Sequence, residues 1–144
     1  MIWDPKKALL LQPDLTYMRT ELPPGEKGRY FPAFHTIVVD SGLNQAGRRC
    51  ALTHELIHAE ARDDCIPSSW LTDKYEHDVD KQAATRLITL EALISALLWT
   101  HNPDELAEEL HVDADTVHVR LAHLSRAERG AIAARLNEAF SRLP

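Results

Sequence analysis

The stretch THELIHAE, residues 53–60, sets His54 and His58 four positions apart, with Glu55 beside the first. On an α-helix, residues at that separation share a face, with their Cβ atoms roughly 5–6 Å apart. Leu56, Ile57 and Ala59 fill the rest of the segment and make it a helix that packs inward. The pattern is the HExxH of helical zinc sites. Two imidazoles so placed can converge on one ion, at zinc–nitrogen distances of roughly 2.0–2.1 Å. Glu55 lies one position round the helix, so it is poorly placed as a ligand but able to reach a water at the ion. There a carboxylate can take a proton and later return it to a leaving amine. Eight histidines and eleven glutamates in 144 residues would produce the motif by random placement with a probability of roughly 3%, so accident is a poor account of it.

Outward from this helix the pattern stays helical on the C-terminal side. The expected helices run over 45–62, over 69–88 with a start near Leu71 or Thr72, and over 90–101 behind a Thr89 cap. Asn102-Pro103 opens another through about residue 110, Asp113 caps one over 114–124, and Ser125-x-x-Glu128 forms a capping box for the last, to about Arg142. Before the motif the texture changes. After a short helix near Pro5 to Leu11, residues 14–40 hold LTYMRTEL, a Pro23-Pro24-Gly25 turn, GRYF and HTIVVD. Ile37, Val38 and Val39 are β-branched and bounded by Pro32 and Ser41-Gly42, as a strand should be. The expectation is an α+β fold in one domain over 1–144: a small antiparallel sheet in 1–43, packed on a helical body in 44–144.

A hydrophobic content of 44% supports a real core, and a net charge of −6 without a lysine or arginine run disfavours general nucleic-acid or membrane-surface binding. The N-terminal apolar patch is interrupted at Gln12 and Pro13, too short for a signal peptide, and nothing approaches a membrane span. A cytoplasmic location follows as the expectation, with Cys50 and Cys65 reduced rather than bridged.

A catalytic zinc site needs a third protein ligand and one open position. Cys50 shares the four-residue rhythm of His54 and His58. However, Cys50 to His58 spans about 12 Å of helix axis at ~1.5 Å per residue, too far for three ligands in a row, so Cys50 is read as a packing residue. The better source is KYEHDVDKQAATRLI, residues 74–88, where Glu76, Asp80, Ala83 and Leu87 form one helical stripe. The Ala83-Ala84 pair would let this helix approach the first closely. On spacing, Glu76 leads as ligand, with Asp80 one turn on to accept a hydrogen bond from a ligating histidine. Asp73, His77, Asp78 and Asp80 itself remain open as alternatives, and a solvated acidic face is the bland reading.

The chain resembles the ImmA/IrrE-type metallopeptidases, in particular their short actinobacterial and phage-associated forms. The resemblance covers most of the sequence and rests on HTIVVDSGLNQAGRRCALTHELIHAE, EHDVDKQAATRLI and LAEELHVDADTVHVRLAHLSRAER. The second block matches the family's E-x-x-[AV]-[DN] element, which implies Glu76 as the third metal ligand and Asp80 as its supporting partner. Departures are Thr53, where alanine is frequent, and Gln82, where an apolar residue is frequent. The family cleaves regulatory proteins, often helix-turn-helix repressors, in bacteria, phages and mobile elements. The resemblance therefore implies a Zn²⁺-dependent endopeptidase with His54, His58 and Glu76 on the metal and Glu55 as the proton carrier. Its partner would be a transcriptional repressor or an antitoxin-like regulator. Manganese or another divalent ion suits the same donors. The strand around Ile37 to Val39 is an expected edge for an extended substrate. For an oxyanion donor, Tyr75, His77 and His101 have the chemistry, and spacing selects none of them.

DELAEELHVDADTVHVRLAHL, residues 104–124, has the outline of a helix-turn-helix. Its first helix would cross the phosphate backbone carrying Asp104, Glu105, Glu108 and Glu109, which phosphates repel. Arg120, Arg126, Arg129, Arg135 and Arg142 make the final segment slightly basic. The preferred reading is a packing module, with Leu106, Leu110, Val117, Leu121 and Leu124 in the core and no direct DNA contact. The competing class is a non-proteolytic regulatory or DNA- or protein-binding module that retains a metal site.

Overall fold

The computed structural model describes residues 3–61 and 69–143. Asp4 caps the first helix, α1 (Pro5–Leu10), by accepting from the Lys6 N–H at 2.9 Å. Pro5 stands at its first position, where the missing N–H leaves no bond unmade. Three strands follow: β1 (Thr16–Thr20), β2 (Gly28–Phe31) and β3 (Thr36–Asp40).

Their order in the sheet is β1-β3-β2, with β1 parallel to β3 and β2 antiparallel to it. The sheet is therefore mixed, not antiparallel as expected, and β3 is its centre, not an edge. The physical reason lies in burial. Ile37, Val38 and Val39 are 0%, 7% and 0% exposed, so both faces of β3 are covered, whereas four of the five residues of β1 are exposed. A short 3-10 turn over Pro32–Phe34 and His35, in the left-handed region at φ 46°, reverses the chain from β2 into β3. β1 then occupies the remaining side. Ladder alternation orients β2: the Asp40 N–H donates to the Lys27 carbonyl at 2.9 Å. Given the register, Arg29 and Phe31 also bond to β3, while the N–H and C=O of Gly28 turn to the outer edge of the sheet.

The long helix α2 (Gln45–Ala61) lies against the sheet, with Leu52, Leu56 and Ala59 meeting Ile37 and Val39. Beyond it come α3 (Ser69–Leu87), α4 (Leu90–Leu97), α5 (Pro103–Leu110), α6 (Ala114–Ala122) and α7 (Arg126–Ser141). Thr89, Asn102, Asp113 and Ser125 cap four of these with side-chain oxygens, the last in a full capping box. α4 stops at Leu97, short of the expected 101. Its final bonds tighten, with Trp99 N–H on the Ala96 carbonyl, and Asn102 must leave helical conformation ahead of Pro103.

A second core forms among Ile88, Leu93, Ile94, Leu106 and Val117, with Leu121 and Leu124 half-buried against it. A smaller apolar seam of Ile57, Val79 and Ala83 joins α2 to α3. A bidentate ion pair between Arg86 and Glu60, at 2.9 and 2.7 Å, ties the end of α2 to α3. The would-be recognition helix α6 packs on α3, and its Arg120 is buried at 3% exposure. Among the described residues no helix is long and apolar enough to cross a membrane.

Candidate metal centre

His54 and His58 project from one face of α2 toward α3, and Glu76 meets them there. The Nε2 atoms of the two histidines are 3.2 Å apart. One Glu76 oxygen lies 2.8 Å from His54 Nε2 and the other 3.1 Å from His58 Nε2. A tetrahedral ion with bonds near 2.05 Å separates its ligand atoms by about 3.3 Å. The three donors therefore need to spread by only a few tenths of an ångström to hold one ion. His54, His58 and Glu76 are close enough to bind a metal, and a set of two imidazoles and one carboxylate suits zinc.

Of the five donors that spacing left open, Glu76 is the one whose carboxylate reaches both imidazoles. Asp80 instead reaches the far side of His54, with Oδ1 2.8 Å from Nδ1. Asp73, His77 and Asp78 are exposed on α3. The approach of α3 is close where the small Ala83, 5% exposed, packs with Ile57 and Val79 at the seam. Thr53, immediately before the motif, is fully buried and donates its hydroxyl back to the Arg49 carbonyl at 2.7 Å. The threonine hydroxyl is thus satisfied inside the helix.

Both ring nitrogens of His54 face carboxylates, and the electrostatics follow. Burial opposes a charge on His54, but hydrogen bonds to Asp80 and Glu76 outweigh it and raise the imidazole to about 10. The same contacts, from His54 first and then His58, lower Glu76 to about 2. Both shifts favour the charged forms of His54 and Glu76. Glu55, 7% exposed, moves the other way: burial pushes its carboxyl up, partly offset by His54 and His58.

These side chains line a groove of about 770 Å³, a size suited to a ligand of several residues' side chains or a small molecule. One wall is β2 with its preceding turn, from Gly25 to Tyr30. The floor is α2, and the opposite wall is α3 together with Asp113, Thr116 and Val119 of the α6 region. Cys50 is buried in the helical core, with the Thr116 hydroxyl 3.3 Å from its sulfur, and stays outside the donor set. Burial, the largest influence, pushes its thiol up. Cys65 falls outside the described residues.

None of the three oxyanion candidates lines the groove. Tyr75 leans on the His58 ring with centroids 5.4 Å apart, His77 is exposed, and His101 engages the Leu97 carbonyl at the end of α4. The β2 wall, including Gly28 and Arg29, escaped the sequence reading. Its one signal was a glycine opening the run GRYF, since glycine in a strand marks a close approach. No protein-family model and no curated protein matches the chain.

Proposed function

We propose that this chain is a zinc-dependent endopeptidase of the ImmA/IrrE type, acting on a regulatory protein such as a helix-turn-helix repressor. The observation that carries the reading is the convergence of His54, His58 and Glu76 beside a buried Glu55 in one open groove. Bound zinc supplies Lewis acidity there, polarising a carbonyl and making a water easier to deprotonate. Asp80 accepts from His54 Nδ1, fixing the tautomer that presents Nε2 to the ion. Glu55 takes the proton of the attacking water and delivers it to the departing amine. Its raised carboxyl value brings it nearer the working pH, where a group can serve as base and then as acid.

An extended peptide has an edge to pair with on β2, the strand that walls the groove, in place of the central β3. The chemistry of a regulatory substrate rests on the resemblance of the three sequence blocks, and the helical α5–α6 hairpin is assigned to packing because α6 is built against α3.

Glu55→Gln tests the reading. The variant should keep about one zinc per chain and lose turnover of a fluorogenic peptide library by at least ~100-fold. Undiminished cleavage by the variant refutes the role given to Glu55, and no zinc-dependent cleavage by the wild type refutes peptidase action.

A further inference from the structure

We infer that Gly28 is a positioning residue for Glu55, the absence of a side chain on the edge strand leaving the space in which the Glu55 carboxylate is held. This role rests on the peptidase reading above. A Cβ built at position 28 would stand 3.1 Å from Glu55 Cγ and 3.3 Å from Glu55 Oε1, with the Val38 carbonyl at 3.4 Å. The first two contacts are tighter than a Cβ ordinarily makes. Glu55 would have to give way, and it is buried with β2 on that side.

Backbone conformation does not explain the glycine. Gly25, in the turn before β2, sits at φ +88° with open space around it, so its conformation requires glycine and its surroundings do not. Gly28 is the reverse: its φ lies outside the left-handed region, and its surroundings are crowded by one particular side chain. Alanine fits the backbone at 28 and is crowded only by Glu55.

The position also has an outward consequence. The main-chain N–H and C=O of Gly28 turn to the outer edge of β2, and Gly28 itself lines the groove. One residue thus brings together the strand edge available to a substrate backbone and the carboxylate that moves the proton. A side chain at 28 displaces Glu55 relative to that edge, which is the geometry a proton transfer reads. A shift of about 1 Å costs roughly 100-fold in rate, so a few tenths costs on the order of tenfold.

The test is Gly28→Ala, alone and combined with Glu55 variants. The single variant should retain wild-type zinc content and lower kcat about tenfold on a peptide that the wild type cleaves, with KM within about twofold. In a Glu55→Asp background, whose residual turnover no longer depends on the longer side chain, the same substitution should change kcat little. Gly130→Ala, in α7 with nothing within 4 Å, serves as the activity control and should match wild-type kcat. Thermal unfolding gives a reading independent of activity. Gly28→Ala should lower Tm by about 3 °C when Glu55 is present and leave it unchanged or higher when Glu55 is alanine.

Full kcat in Gly28→Ala, or an equal loss in both backgrounds, overturns the positioning role. Absence of the Tm coupling does so as well, whatever the activity. A zinc-loaded wild type that cleaves nothing overturns the peptidase reading and the role with it. The Tm cycle still reports the Gly28–Glu55 contact in that case, so the two failures are distinguishable.

Discussion

Loading the metal-free protein with zinc should expel about one proton even at pH 8. His54 Nε2 must give up its proton to become a ligand, and its contacts with Asp80 and Glu76 hold the imidazole at about 10 rather than its ordinary 6.5. At pH 8 such a group is about 99% protonated, whereas an unperturbed histidine is about 3% protonated. Proton and metal compete, so affinity rises with pH, by about tenfold or ~1.4 kcal/mol per unit through the range from about pH 7 to 9. Titration calorimetry in buffers of different protonation enthalpy measures the proton count directly. Asp80→Asn removes the carboxylate charge at Nδ1 and should lower the count at pH 8 and flatten the pH slope. Any proton lost by water in the site persists in that variant, so the difference between the two proteins isolates His54. A wild-type release near zero at pH 8, or identical release from the Asp80→Asn protein, would show that His54 is not held charged by its neighbours.

The donors should rank in zinc retention. Glu76→Ala removes a carboxylate that reaches both imidazoles and should weaken binding by more than ~100-fold, while Asp80→Ala should cost roughly 10- to 100-fold. Cys50→Ala should leave zinc content unchanged, and metal analysis after dialysis distinguishes all three. Retention lost with Asp80→Ala but kept with Glu76→Ala would reassign the third ligand. In the helical core, Arg120 donates from Nε to the Ile88 carbonyl at 2.8 Å and pairs with Glu128, which it lowers to about 2. Arg120→Ala strands that carbonyl and should destabilise by about 2–3 kcal/mol, with little from the partly exposed Glu128 end. A denaturant midpoint unchanged from wild type would refute this account of the buried arginine.

Much of the arrangement was legible because helices write their contacts at short range. The four-residue spacing put His54 and His58 on one face, and the stripe from Glu76 through Asp80 to Ala83 put the acidic end of α3 beside small residues that permit close approach. Caps at Thr89, Asn102, Asp113 and Ser125 are local hydrogen bonds between neighbours, so they could be read from neighbours alone. Which carboxylate would reach which nitrogen was not local. The placement of Glu76 at both Nε2 atoms and of Asp80 at Nδ1 depends on how α3 lies across α2, a relation that one helix's periodicity does not contain.

The sheet shows the same limit more sharply. The Pro23-Pro24-Gly25 turn suggests that β1 and β2 pair as neighbours, but pairing is decided by which strand buries most. HTIVVD carries three consecutive apolar residues, where a half-exposed edge strand would alternate, and that run is the signature of a strand covered on both faces. β3 takes the centre for this reason, and β1 and β2 are left as the edges. With β2 outermost beside α2, the strand against the candidate metal centre is the one that begins with glycine. Strand order, which no local pattern encodes, therefore determines that Glu55 packs against a residue with no side chain.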